Sequence, residues 1–142
     1  MFFWFIGTSI ATIWFVFHDR NFAYRLVVAG ALAPDVIEVF LGYAGPLHSV
    51  VTMVAIMTAV MLITYGRKKS RSNMLAFVIG MFLHLVFDGA FANTKMFWWP
   101  ISGLQFSDYA LPVFDRGLIN IPLEIVGVLL ILWTRNQMKE NS

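Results

Sequence analysis

An all-α bundle of about five membrane-spanning helices is the fold class that the sequence predicts, on three observations. Of the 142 residues, 59% are hydrophobic and 13% are charged, about half the ~25% charge of a soluble domain. The mean hydropathy is +0.74. The apolar residues fall in blocks close to the ~20 residues a helix needs to cross a bilayer core of ~30 Å. The same composition excludes disorder. A net charge of +2 argues against a nucleic-acid surface. With no cysteine, disulfides, thiol nucleophiles and cysteine-ligated zinc are excluded. We read residues 1–142 as a single membrane-embedded helical domain, partnered by the lipid bilayer.

The first segment, Phe2 to Phe17, carries no charge. No basic residue precedes it, and Phe17-His18-Asp19 is no small-residue cleavage site, so it reads as a retained helix. The second, Asn21 to about Leu41, is interrupted by Arg25, Pro34, Asp35 and Glu38. A proline lacks the N–H a helix interior needs, so this segment is expected to break or end near Pro34. The third, Leu47 to Gly66, has His48 as its one strongly polar group. The fourth, Met74 to Ala92, carries His84 and Asp88; the fifth, Leu118 to Thr134, carries Glu124. The connections are short apart from residues 93–117.

Positive residues favour the cytoplasmic side. With the N-terminus outside, Arg20, Arg25, Arg67, Lys68, Lys69, Arg71, Arg135 and Lys139 lie inside, and only Lys95 and Arg116 outside. Four spans with a re-entrant second segment would move Arg20 and Arg25 outward and weaken that bias, so five spans are preferred.

Ionisable groups at membrane depth cost roughly 2.5–3.5 kcal/mol each on insertion scales, so they mark function. Asp35 and Glu38 are spaced i, i+3, and His84 and Asp88 i, i+4; each pair shares one face of a helix. The second and fourth segments run outward, and the third begins outside with His48. Span order alone therefore brings Asp35, Glu38, His48, His84 and Asp88 to the outer side, with Glu124 at similar depth. Imidazoles with carboxylates suit a divalent metal: zinc foremost, with manganese or iron as alternatives. A carboxylate that does not ligate, Glu38 or Glu124, serves as general base.

Other features have plainer readings. His18-Asp19 is a turn at the opposite end, with Asp19 capping the next helix or pairing with Arg20 or Arg25. Phe97-Trp98-Trp99-Pro100 is an aromatic belt. Trp98 and Trp99, with the loop cation Arg116, are also the candidates to shape a substrate entrance. Gly80 and Gly89 permit close helix approach. Met53, Met57 and Met61 are packing or lipid-facing residues. Arg67 to Arg71 is a topology signal.

Leu32-Ala33-Pro34-Asp35-Val36-Ile37-Glu38 resembles the Leu-Pro-Asp-x-Asp motif of the bacterial membrane-bound metal-dependent hydrolases of the LexA-regulated inner-membrane type. Leu47-His48-Ser49 resembles that family's Thr-His-Ser, His84 to Asp88 its His-x-x-x-Asp, and Trp99-Pro100 its Trp-Pro, in the same order. The matching stretch runs from about Val27 to Pro100. The resemblance implies the bacterial inner membrane, a distant relation to zinc-dependent phospholipase C, and metal-assisted cleavage of a phosphoester or lipid-like substrate. It carries Asp35, Glu38, His48, His84 and Asp88 over as ligands or base. Glu38 stands where the family has Asp. The family's histidine before Thr-His-Ser and its early histidine in the first helix have no counterpart here, which points to a mononuclear or an inactive site. Two other functions would use the same residues: a small ion or proton transporter, and a non-catalytic membrane assembly protein.

Overall fold

The computed structural model describes residues 1–40, 45–103 and 117–140. Every regular element among them is helical. We number the helices α1 (Phe2–Phe17), α2 (Tyr24–Val39), α3 (Val50–Ile63), α4 (Lys68–Asp88), α5 (Thr94–Phe97) and α6 (Asn120–Glu140). Short 3₁₀ turns at Pro46–His48, Ala90–Ala92 and Gly117–Ile119 precede α3, α5 and α6.

The boundaries follow local chemistry. The first helix ends on His18, left-handed at φ 49°, whose N–H returns to the Trp14 carbonyl. The Asp19 carboxylate accepts from the Asn21 amide at 2.8 Å, and the Tyr24 hydroxyl donates to the Asp19 carbonyl at 2.9 Å. His18-Asp19 is thus a turn, as expected. Asp19 closes that turn on itself, however, and Ala23 is the residue at the start of α2. Ser49 caps α3, its hydroxyl accepting from the Val51 amide. The fourth helix starts earlier than its apolar block, at Lys68, because Lys and Arg are good helix formers wherever their charges reach water. Gly89 ends it in a left-handed conformation at φ 72°, a position suited to glycine. Gly89 is therefore a helix stop.

Pro34 corrects a second expectation, because α2 runs through it to Val39. The lost N–H would have bonded the Gly30 carbonyl, one turn back. That turn is where α4 packs most tightly. A Cβ on Gly30 would lie 1.9 Å from the Phe77 carbonyl oxygen, and one on Gly80 would lie 2.1 Å from the Val27 carbonyl oxygen. The neighbouring Ala31 carbonyl receives a bond from His84. The tertiary contact supports the helix where the local sequence weakens it.

Two helix pairs form the bundle, α2 with α4 and α1 with α6, with α3 against α4 and α1 bridging to α2. Both main pairs are parallel. Val27 meets Gly80 and Ala31 meets His84 four residues further along each helix. Likewise the Phe3 amide meets Glu124, and Gly7 meets Gly127. Short links make α3 antiparallel to α4. So α1, α3 and α6 run one way and α2 and α4 the other. Small residues at both crossings allow backbone-to-backbone contact, a common means of packing helices in lipid.

Among the described residues, two segments are by length and composition long and apolar enough to cross a membrane: Lys68–Asp88 and Gly117–Glu140. The first and third helices are shorter, with 16 and 14 residues, or about 24 and 21 Å at 1.5 Å per residue.

Candidate metal centre

The helix directions bring the end of α2, the start of α3, the end of α4 and the start of α1 to one end of the bundle. On α4, Ala76, Gly80, His84 and Asp88 recur every four residues and all are buried. The small residues bring α2 close, and the same stripe then presents His84 and Asp88 toward it. On α2, Asp35 and Glu38 follow the Gly30 crossing by one and two turns. His48 sits in the 3₁₀ turn before α3 and is fully buried, as is Glu38.

The cluster is tight. His84 Nε2 lies 3.3 Å from His48 Nε2 and 3.4 Å from Asp35 Oδ1. His48 Nε2 lies 3.9 Å from Asp35 Oδ1 and 3.8 Å from Asp88 Oδ2. Asp35, His48 and His84 each offer a donor atom within 4.8 Å of the other two. His84 and Asp88 are 1% exposed, whereas the Asp35 side chain keeps 19% of its surface. Access to the cluster therefore runs past Asp35.

Both imidazoles are held from behind. His84 Nδ1 donates to the Ala31 carbonyl at 2.8 Å, and a carbonyl only accepts. His48 Nδ1 bonds Glu38 Oε2 at 2.7 Å. The Glu38 carboxylate also accepts from the Gly45 amide at 2.6 Å and the Leu47 amide at 2.7 Å. Glu38 thus ties α2 to the turn that carries His48. With Nδ1 protonated, a neutral imidazole has its lone pair on Nε2. The two Nε2 atoms face each other at 3.3 Å. Two neutral rings in this arrangement would set lone pair against lone pair, and either a proton or a metal cation between them turns repulsion into attraction. For zinc–nitrogen bonds of ~2.0–2.1 Å in a tetrahedron, neighbouring ligand atoms stand about 3.3–3.4 Å apart. Two of the three edges match that spacing, the His48–Asp35 edge at 3.9 Å is wider, and the donor types fit a zinc-class ion. Backing of a histidine by carboxylate or carbonyl is also the usual support of a metal-bound imidazole.

The remaining predicted residues are distributed around this core. Glu38 meets the cluster through the far nitrogen of His48. Glu124, on α6, accepts from the Phe3 amide at 2.7 Å and stands apart from the Asp35–His48–His84 trio. Trp98 is half exposed. The Phe97-Trp98-Trp99 segment is tied beside the cluster by Ser49, whose hydroxyl donates to the Trp99 carbonyl at 2.5 Å and the Phe97 carbonyl at 3.2 Å. Arg116 lies outside the described residues.

Sequence reasoning missed three supports. The Phe5 ring of α1 packs on the His84 ring, centroids 4.1 Å apart; nothing distinguishes it from the other phenylalanines of its segment. The Ala31 carbonyl and the Gly45 and Leu47 amides are backbone groups with no side-chain signature. Ser49 was legible, as a serine ahead of an apolar run is a helix-start signal.

Comparison of the chain with family models, with curated proteins and with solved structures gave no match.

Proposed function

We propose that this chain is a membrane-bound, metal-dependent hydrolase, built as a five-span bundle with its site at the outer ends of the helices. The observation that carries the reading is the pair of Nε2 atoms 3.3 Å apart, each on a ring whose other nitrogen is already bonded. Asp35, His48 and His84 would hold the ion. Three protein ligands leave a position open, as catalytic zinc sites do and structural ones do not. When bound, such an ion supplies Lewis-acid polarisation of a substrate oxygen and a nucleophile available near neutral pH.

The chain's own residues supply the rest. Glu38 and the Ala31 carbonyl fix the two rings, so little reorganisation is needed on binding. Asp88 lies 3.8 Å from His48 Nε2 and would be the carboxylate beside the ion suited to accept a proton from the substrate side. Burial of all but Asp35 limits water and strengthens each charge interaction. The alternation of helix directions supports five crossings, and the burial of Glu38, His48, His84 and Asp88 at one end supports a site near the membrane surface. Access past Asp35, next to the tryptophan segment, suits a substrate arriving from the lipid interface, and a phosphoester is the substrate class we favour.

The purified protein should hydrolyse a chromogenic phosphodiester, lose that activity on chelation and regain it with zinc. Asp88→Asn should retain the ion and lose at least 10²-fold in turnover. Ion flux in sealed liposomes without chelator-sensitive hydrolysis would favour a transporter instead.

A further inference from the structure

At the end of the bundle opposite the metal cluster, α2, α3 and α4 leave a groove of about 480 Å³ between them. Leu26 of α2, Ile56 and Val60 of α3, and Met74 and Phe77 of α4 line it. The volume lies in the range of a small-molecule site. It opens to the surface beside Asn73 and Met74, which are both exposed. The α3–α4 turn and the first turn of α4 rim this same end. They carry Arg67, Lys68, Lys69 and Arg71, with no acidic residue in that first helical turn. Arg67, Lys68 and Lys69 are exposed. Among the described residues no carboxylate pairs with any of the four within ion-pair distance. Arg67, at the start of α4, makes no side-chain cap, so the free N–H groups and the positive end of the 21-residue helix add to the same field.

An apolar slot ending at a cluster of unpaired cations is complementary to one molecule type available in a bilayer. We propose that this groove holds an acyl chain of an anionic phospholipid, with its phosphate seated on Arg67, Lys68, Lys69 and Arg71. The site rests on the membrane reading of the chain but is independent of the metal cluster at the other end. Basic pockets between helices at the cytoplasmic surface bind lipid head groups by this combination of charge and apolar contact.

The test uses the full-length protein in neutral detergent, offered dioleoylphosphatidylglycerol or dioleoylphosphatidylcholine, with lipid retention read by native mass spectrometry. The two lipids share their acyl chains and differ in head-group charge. Wild type should retain phosphatidylglycerol at least about tenfold better. K68Q/K69Q/R71Q should bring the two toward parity, since each surface cation contributes roughly fivefold. Met74→Trp, a filling substitution from an exposed position, should lower retention of both lipids while keeping their ratio. Unchanged helical circular dichroism and metal content confirm that each variant is folded. Parity in the wild type, or an undiminished preference in the triple variant, would overturn the proposal. A Met74→Trp protein that retains both lipids normally would also overturn it, by showing anion binding without the groove. Release of the wild type from its membranes by alkaline carbonate would overturn the membrane reading itself, a failure distinct from these.

Discussion

At Glu38 both carboxylate oxygens are used inside the protein, on His48 Nδ1 and on the Gly45 and Leu47 amides. In the proposed metal centre its part would be to orient His48. Glu38→Gln keeps the shape but exchanges one acceptor oxygen for a donor, leaving a backbone amide or the imidazole opposed. Zinc affinity, measured by competition with a chromophoric chelator, should fall about 10–100-fold, with full occupancy restored at higher zinc. His84→Ala should abolish binding at any practical concentration. Equal loss in both would make Glu38 a direct ligand. At this scale the sequence was informative about which residues meet, because i, i+3 and i, i+4 spacings fix a helix face whatever the tertiary fold. It did not separate their roles, leaving Glu38 as either ligand or base. Whether a carboxylate faces an ion or the back of an imidazole depends on the path of the loop before His48, and on backbone donors that every residue carries.

The crossing of α2 and α4 is what brings Asp35 to His84. Both glycines of the crossing are filled by backbone: a Cβ on Gly80 would stand 2.1 Å from the Val27 carbonyl oxygen and 2.9 Å from the Ala31 nitrogen. Gly80→Val must push the helices apart, at a cost of about 1–3 kcal/mol or more. The variant should melt at lower temperature and also bind zinc more weakly, since Ala31 and Asp35 move with α2. Unaltered affinity in a destabilised Gly80→Val would uncouple the crossing from the site. Gly80 was readable as a close-approach residue. Pro34 was misread because a local rule about proline gives a tendency, and packing decides the outcome. Gly89 serves the helix end, and Pro34 is tolerated because α4 supports the turn it weakens.

For the molecule as a whole, the alternation of helix directions gathers Asp35, Glu38, His48, His84 and Asp88 at one end and leaves His18, Asp19 and Arg67 to Arg71 at the other. Charge counting assigns the basic end to the cytoplasm. With no native cysteine, Ser70→Cys gives a clean probe. An impermeant maleimide should leave it unlabelled in intact cells and label it in inverted vesicles. Labelling from outside intact cells would invert the orientation and turn the cluster toward the cytoplasm. The all-helical fold was legible because composition and apolar block length are global properties. The first helix matches its apolar block, Phe2 to Phe17, whereas α3 covers only Val50–Ile63 of the block Leu47 to Gly66 and α4 is shifted to Lys68–Asp88 from Met74 to Ala92, because local turns and not the apolar block set those ends.

The central claim is that Asp35, His48 and His84 form a metal centre, and metal content tests it most directly. The protein should be purified in detergent without chelators, with His84→Ala and Asp35→Asn alongside, and assayed by elemental analysis. The wild type should carry about one equivalent of zinc, manganese or iron, lost in His84→Ala and strongly reduced in Asp35→Asn, with all three proteins equally helical. A wild type that carries no metal and takes up none on reconstitution would contradict it.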